Sequence, residues 1–185
     1  VANGRFHLIG EHTWFAKDKT LSMAVDLPVF VAVSKRQDVS LRFYFSQLKD
    51  RKRGTLTALK FRKEDRWANA LKAIVYGFIS GGFDLSGIDF TVYSQVLPSA
   101  GCGITTAIKV ATAYAIRKLF NLQCSDSQLL QVIERGNKIF LNLENYMADY
   151  FSAIYSKENS LVLTDYSTGS WDLVPFNFED KVILL

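Results

Sequence analysis

Apolar residues alternate with polar or small ones through most of the N-terminal part of this chain, at the period of two that a half-buried strand shows. Phe6-His7-Leu8-Ile9 reads as a strand that runs into Gly10. Val29, Val31 and Val33 alternate with Phe30, Ala32 and Ser34, and Val39, Leu41, Phe43 and Phe45 alternate with Ser40, Arg42 and Tyr44. Residues 55–61 are expected to form a further strand, with the basic run Lys49-Asp50-Arg51-Lys52-Arg53-Gly54 as a solvated hairpin turn before it. Over 67–80 the spacing becomes helical (Trp67, Leu71, Ile74, Val75, Phe78), and Gly81-Gly82 ends the run. Ile88, Phe90 and Val92 then alternate with Asp89, Thr91 and Tyr93 as another strand.

Helical periods dominate next. Residues 98–103 are a loop of mostly small residues, and 105–120 carry Ile108, Ala111 and Ala115 on one face. Ser125-Asp126-Ser127-Gln128 has capping-box form and opens a helix to about Arg135. A third helical piece covers about 145–155, and strands are expected at 161–164, 171–174 and 181–185. With no repeat and no linker, residues 1–185 read as one α+β domain.

Composition narrows the function classes. A net charge of +4 on 185 residues is too mild to announce a nucleic-acid partner. No run reaches the roughly eighteen apolar residues of a membrane span, and no signal peptide is visible. Cys102 and Cys124 make neither a disulfide framework nor a zinc-ligand spacing, which fits a reducing cytoplasm. Val1 stands almost on the first chemistry-bearing stretch, and Val182-Ile183-Leu184-Leu185 has no turn after it. The chain is therefore expected to be one domain of a larger protein.

Two stretches carry chemistry. Gly4-Arg5-Phe6-His7-Leu8-Ile9-Gly10-Glu11-His12-Thr13 sets a cation on a short strand and, past the glycine turn, a carboxylate beside an imidazole; Glu11 and His12 can hydrogen-bond the hydroxyls of a polar ligand. Pro98-Ser99-Ala100-Gly101-Cys102-Gly103-Ile104-Thr105-Thr106-Ala107 is a glycine-bearing loop entering a helix, where unpaired backbone N–H groups and the helix dipole favour an anion. The Thr105 or Thr106 hydroxyl could reach a bound Mg²⁺, although no Walker-type Gly-Lys-Ser/Thr follows. Cys102 at a helix N-terminus admits a rival, a cysteine nucleophile served by His7 or His12.

The first stretch resembles the N-terminal signature of galactokinases, in the GHMP small-molecule kinase superfamily, where a glycine-arginine pair leads into Leu-Ile-Gly-Glu-His-Thr and then an aspartate. Here Trp14 stands at the aspartate's place. The second resembles the family's phosphate loop, Pro-x-Gly-x-Gly-Leu-Ser-Ser-Ser-Ala, with threonines for serines and one residue fewer. Arg66-Trp67-Ala68-Asn69, with Lys72 and Ile74, is similar to a family run beside the nucleotide base. Gln131-Val132-Ile133-Glu134 is similar to a helix whose glutamate helps to hold Mg²⁺. Ala148-Asp149-Tyr150-Phe151-Ser152-Ala153 follows the family's Met-Asp-Gln-Phe segment, after an insertion around 138–143. The glycine-rich third motif belongs to a C-terminal domain that this chain does not contain.

The resemblance implies a GHMP kinase N-terminal domain with the fold of ribosomal protein S5 domain 2, and transfer of the ATP γ-phosphoryl group to a sugar hydroxyl. By it, Asp149 orients or deprotonates the hydroxyl, and Arg5 holds Asp149 ionised and offsets charge on the phosphoryl group. Glu11, His12 and the position of Trp14 meet the sugar. Trp67 lies by the adenine, Ala100, Gly101, Cys102, Gly103, Thr105 and Thr106 cradle the phosphates, and Thr105 or Thr106 with Glu134 holds Mg²⁺. The alternatives are a non-catalytic ligand-binding or regulatory protein on the same fold, and an interaction module that uses the basic run.

Overall fold

The computed structural model describes residues 1–177, so the strand expected at 181–185 lies outside the described residues. Strand β1 (Ala2–Ile9) and the long β2 (Lys19–Lys35) form an antiparallel pair, followed by the hairpin β3 (Ser40–Phe45) and β4 (Asp50–Thr55). Helix α1 (Ala68–Ser80) leads to β5 (Ile88–Ser94), and α2 (Ile104–Leu119), α3 (Asp126–Arg135) and α4 (Met147–Tyr155) precede a last hairpin, β6 (Ser160–Asp165) and β7 (Ser170–Pro175). The sheet order is β4-β3-β5-β2-β6-β7, with β1 on β2. Among the described residues, only the β3–β5 pair is parallel.

Alternation sorts the sheet into two faces. Leu41, Phe43 and Phe45 of β3 and Ile88, Phe90 and Val92 of β5 turn inward, with Phe43 and Phe90 stacked at 5.1 Å. Against them pack α1, buried through its first turns, and α2. Two glycines let α3 close the layer. A Cβ on Gly77 would stand 2.1 Å from the Val132 carbonyl oxygen, and one on Gly136 would stand 2.4 Å from that of Ala73. No side chain fits at either crossing.

Two expectations are corrected. The basic run is strand β4 itself, and the turn occupies 46–49. Strand β3 needs an edge partner, and a charged strand serves as one because its arginines stand in water while its backbone pairs. Residues 55–61 leave the sheet through the 3₁₀ turn Leu56–Ala58, with Leu56 N–H donating to the Val39 carbonyl at 2.9 Å. The first half of β2 had no alternating apolar signal, because its buried positions Thr20 and Ser22 carry hydroxyls that are hydrogen-bonded inside. Elsewhere the boundaries agree within a few residues. The Ser125 capping box is formed, with Ser125 Oγ accepting from Gln128 N and Gln128 Oε1 from Ser125 N. Past α3 the chain winds into a π turn, Gly136–Phe140, which takes up an extra residue without breaking the helix.

Candidate active site

Strand β1 and the 98–103 loop are stitched together. Arg5 N–H donates to the Cys102 carbonyl at 2.9 Å, and a Cβ on Gly4 would stand 2.6 Å from that same oxygen. In a strand, residues two apart share a face, so Arg5 and His7 project to the same side, where helix α4 presents Asp149 from its first turn. Arg5 Nε donates to Asp149 Oδ1 at 2.6 Å and Nη2 to Oδ2 at 3.2 Å, while Nη1 reaches the Gly101 carbonyl at 2.7 Å. His7 Nε2 lies 2.8 Å from Oδ1, and the Thr106 hydroxyl donates to Oδ2 at 2.9 Å. Asp149 is 8% exposed. Burial pushes its pKa up, but hydrogen bonds from His7 and Arg5, and the Arg5 charge, outweigh it and bring it down to about 2. The positive end of α4 acts in the same sense.

Around this carboxylate is a cavity of about 210 Å³. Gly10, at φ 81°, turns the chain so that Glu11, His12 and Trp14 line its wall, and the Thr13 and Thr20 hydroxyls donate to the Gly10 carbonyl to hold the turn. Tyr146 and Tyr166 line it from the other side, and the Tyr166 hydroxyl accepts from Ala148 N at 3.3 Å, tying the β6–β7 turn to the start of α4. Arg5, Glu11, His12, Trp14 and Asp149, singled out from sequence, thus meet on one cavity. Sequence reasoning missed His7, Tyr146 and Tyr166 as its lining. The available signal for His7 was its place two residues after Arg5 on a strand.

A second, mostly apolar groove of about 460 Å³ lies on the other side of the loop, bounded by Phe45, Trp67, Pro98, Ile104, Thr105 and Leu143 among others. Trp67 stands edge-on to Phe45 at 5.3 Å, and its indole N–H is spent on Asp50 Oδ2 at 2.9 Å. Between groove and cavity, Ser99, Gly101 and Gly103 all take left-handed φ (65°, 73° and 69°). Left-handed residues within a turn aim successive N–H groups into an anion-binding concavity. At the start of α2, Thr105 is exposed toward the groove while Thr106 is buried against Asp149.

Cys102 and Glu134 line neither site, while Lys109 borders the groove. Cys102 is 2% exposed and its thiol donates to the Ala100 carbonyl at 3.5 Å, while His7 is committed to Asp149 and His12 lines the cavity that Cys102 does not, so the described residues do not assemble a cysteine nucleophile. Glu134 lies on α3 with its carboxylate on Lys138 Nζ at 2.6 Å and lines neither cavity. Lys109, one turn along α2, had no sequence signal. It is 4% exposed, its ammonium donates to Asn137 Oδ1 at 2.6 Å, and burial lowers its pKa to about 8 against the opposing pull of Asp149.

Comparison with known proteins gives concordant results. Residues 1–35 match a family model described as the galactokinase galactose-binding signature, and residues 67–157 match one for the GHMP kinases N terminal domain. A Treponema pallidum protein carried under a provisional galactokinase name is 38% identical across the whole chain, which covers 47% of that relative. The Streptococcus thermophilus galactokinase is 25% identical over 98% of the chain and 48% of its own length. Among solved structures, Lactococcus lactis galactokinase complexed with galactose superposes with a TM-score of 0.86 at 17% identity, over 97% of this chain and 47% of that one. Methanococcus jannaschii mevalonate kinase gives 0.78 at 15% identity, over 97% and 56%. The chain spans about half the length of the curated relatives it matches.

Proposed function

The chain belongs to the GHMP kinases as a galactokinase-like N-terminal region, and from that premise we propose that its parent protein transfers the γ-phosphoryl group of ATP to a sugar hydroxyl. One observation supports the proposal: of the consecutive threonines at the start of α2, Thr105 lines the apolar groove while Thr106 is buried against the Asp149 carboxylate, which itself lines the cavity. A base lying against Trp67 in the groove would place its phosphates over the Ala100, Gly101, Cys102 and Gly103 backbone, with the terminal phosphoryl group directed toward Asp149. Glu11 and His12 would hold sugar hydroxyls in the cavity. Phosphoryl transfer asks for alignment and charge neutralisation more than for covalent help.

Asp149, held ionised, orients the acceptor hydroxyl and accepts its proton as the bond to phosphorus forms. Arg5, bridging Asp149 and the Gly101 carbonyl, stands where it offsets charge on the transferring group. The Thr105 or Thr106 hydroxyl is an oxygen donor of the kind Mg²⁺ prefers and would hold the ion together with phosphate oxygens and water, whereas the Glu134 carboxylate, paired with Lys138 and lining neither cavity, does not fit that site. The ion would supply charge neutralisation on the phosphates. Thr106 already donates its proton to Asp149, which leaves its oxygen lone pairs for such a role. No described helix is long and apolar enough to cross a membrane, and we place the protein in the cytoplasm, with a C-terminal domain completing the cleft.

The deciding experiment is a coupled ADP-release assay of the full-length protein over a panel of hexoses with MgATP. Turnover with at least one sugar, lowered about 10²–10⁴-fold by Asp149→Asn, is expected. Sugar binding by calorimetry without turnover on any member would favour a non-catalytic ligand-binding role.

A further inference from the structure

The Asp149 carboxylate is full. An ionised carboxylate offers about four lone-pair sites, and four donors already occupy it: Arg5 Nε and His7 Nε2 on Oδ1, Arg5 Nη2 and the Thr106 hydroxyl on Oδ2. An acceptor hydroxyl that approaches Asp149 must therefore displace one of them. By length the weakest is Arg5 Nη2 to Oδ2 at 3.2 Å, against 2.6, 2.8 and 2.9 Å for the others. Releasing it costs Arg5 little, since Nε stays on Oδ1 and Nη1 on the Gly101 carbonyl.

Once Nη2 is released, the position of Asp149 depends on the remaining donors. Thr106 is fixed in the first turn of α2. His7 is fixed by β1, whose backbone pairs with β2 at Ser22, and its side chain is 7% exposed. The ring is also committed in its tautomer. Nδ1 is buried with no hydrogen-bond partner among the described residues. A proton on Nε2 then makes the bond to Oδ1 and leaves Nδ1 a bare acceptor. The opposite tautomer would set a lone pair against the carboxylate and bury an N–H with nothing to accept it, which costs more.

We infer that His7 is a positioning residue for the reaction: it pins Oδ1 of Asp149 through Nε2–H, so that the acceptor hydroxyl enters at Oδ2 in place of the long Arg5 bond. The inference rests on the phosphotransfer proposed above. His7 touches neither nucleotide nor phosphate in this scheme, so its loss affects the chemical step and leaves ATP binding alone.

The test compares His7→Leu, which removes the donor, with His7→Gln, which keeps an N–H donor of similar reach, in the full-length protein. Misplacing a reacting group by about an ångström costs on the order of 10²-fold. His7→Leu is accordingly expected to lose about that much in kcat with KM for ATP unchanged, and His7→Gln to recover at least about a tenth of the kcat of the unaltered protein. In ¹⁵N histidine spectra of the unaltered protein, His7 is expected as the Nε2–H tautomer, a readout that needs neither turnover nor a stable variant. A His7→Leu kcat within threefold of the unaltered protein, a His7→Gln variant as poor as His7→Leu, or a His7 proton on Nδ1 would each overturn the inference. If the unaltered protein turns over no sugar, the kinase reading fails, while the ¹⁵N tautomer still decides whether His7 pins Asp149.

Discussion

The Trp14 ring stands edge-on to Tyr146, with centroids 5.2 Å apart and planes at 77°, and both rings line the cavity that holds Asp149. Trp14 also meets Phe15 at 5.8 Å, so it is braced between an exposed neighbour and the residue that leads into α4. The position where galactokinases carry an acidic acceptor is therefore an aromatic wall.

That wall is expected to make galactose a poor substrate. Tryptophan supplies one donor and no acceptor, and a sugar hydroxyl left without its partner in a buried site costs about 1–3 kcal/mol. A sugar with a less hydroxylated face would stack there instead. Calorimetric titration of the full-length protein and of Trp14→Asp with galactose and related sugars checks this. Galactose binding is expected to strengthen in Trp14→Asp, and tight binding by the unaltered protein with no gain in the variant would refute the role given to Trp14.

Asp149→Asn is expected to lower kcat about 10²–10⁴-fold, the usual contribution of a positioned base, while ATP affinity stays nearly constant. Arg5, His7 and Thr106 would all face a neutral amide. Steady-state kinetics together with nucleotide titration separate the two effects. A loss below about threefold would move the catalytic role elsewhere.

Acid stability follows from the same carboxylate. Its pKa is lowered to about 2 in the folded protein, below the roughly 3.9 of an unfolded aspartate. The unfolded chain thus binds the proton first as pH falls. The stabilisation, roughly 2 kcal/mol, is fully present above about pH 4 and is lost as pH drops through about 2. Denaturant titrations from pH 5 to pH 2 are expected to show a steeper decline for the unaltered protein than for Asp149→Asn.

Lys109 predicts the opposite limb. Its folded pKa of about 8 lies below the roughly 10.4 of an exposed lysine, so the unfolded state holds more protons between these values. The Lys109 contribution to stability therefore rises with pH across that interval. Lys109→Met should abolish this component, seen as a flatter dependence of denaturation midpoint on pH from 8 to 10. An unchanged slope would show that the Lys109 ammonium is not penalised by burial.

Strands β3 and β5, helices α1 and α2 and the capped α3 could be read from the chain because each obeys a local rule: alternation, helical spacing, or a side chain that caps its own backbone. Strand β4 and the first half of β2 broke those rules. One is a charged edge held to β3 by its backbone and by Arg51 lying over Tyr44, and the other buries hydroxyls that leave no apolar alternation. Neither has a local signature.

The candidate site divides in the same way. Residue types along the chain were enough to single out Glu11, His12 and the 100–106 loop, because a turn glycine and a helix start are local properties, whereas Asp149 and the role of Arg5 came from the resemblance to galactokinase motifs. Only the folded chain could bring Asp149 to His7 across 142 residues, turn Thr105 to the groove and Thr106 to Asp149, and set Tyr146 against Trp14. Local periodicity specifies which face a side chain takes within its own element. What stands opposite that face depends on how the sheet and helices close around the core, a long-range packing outcome that no local window of residues contains.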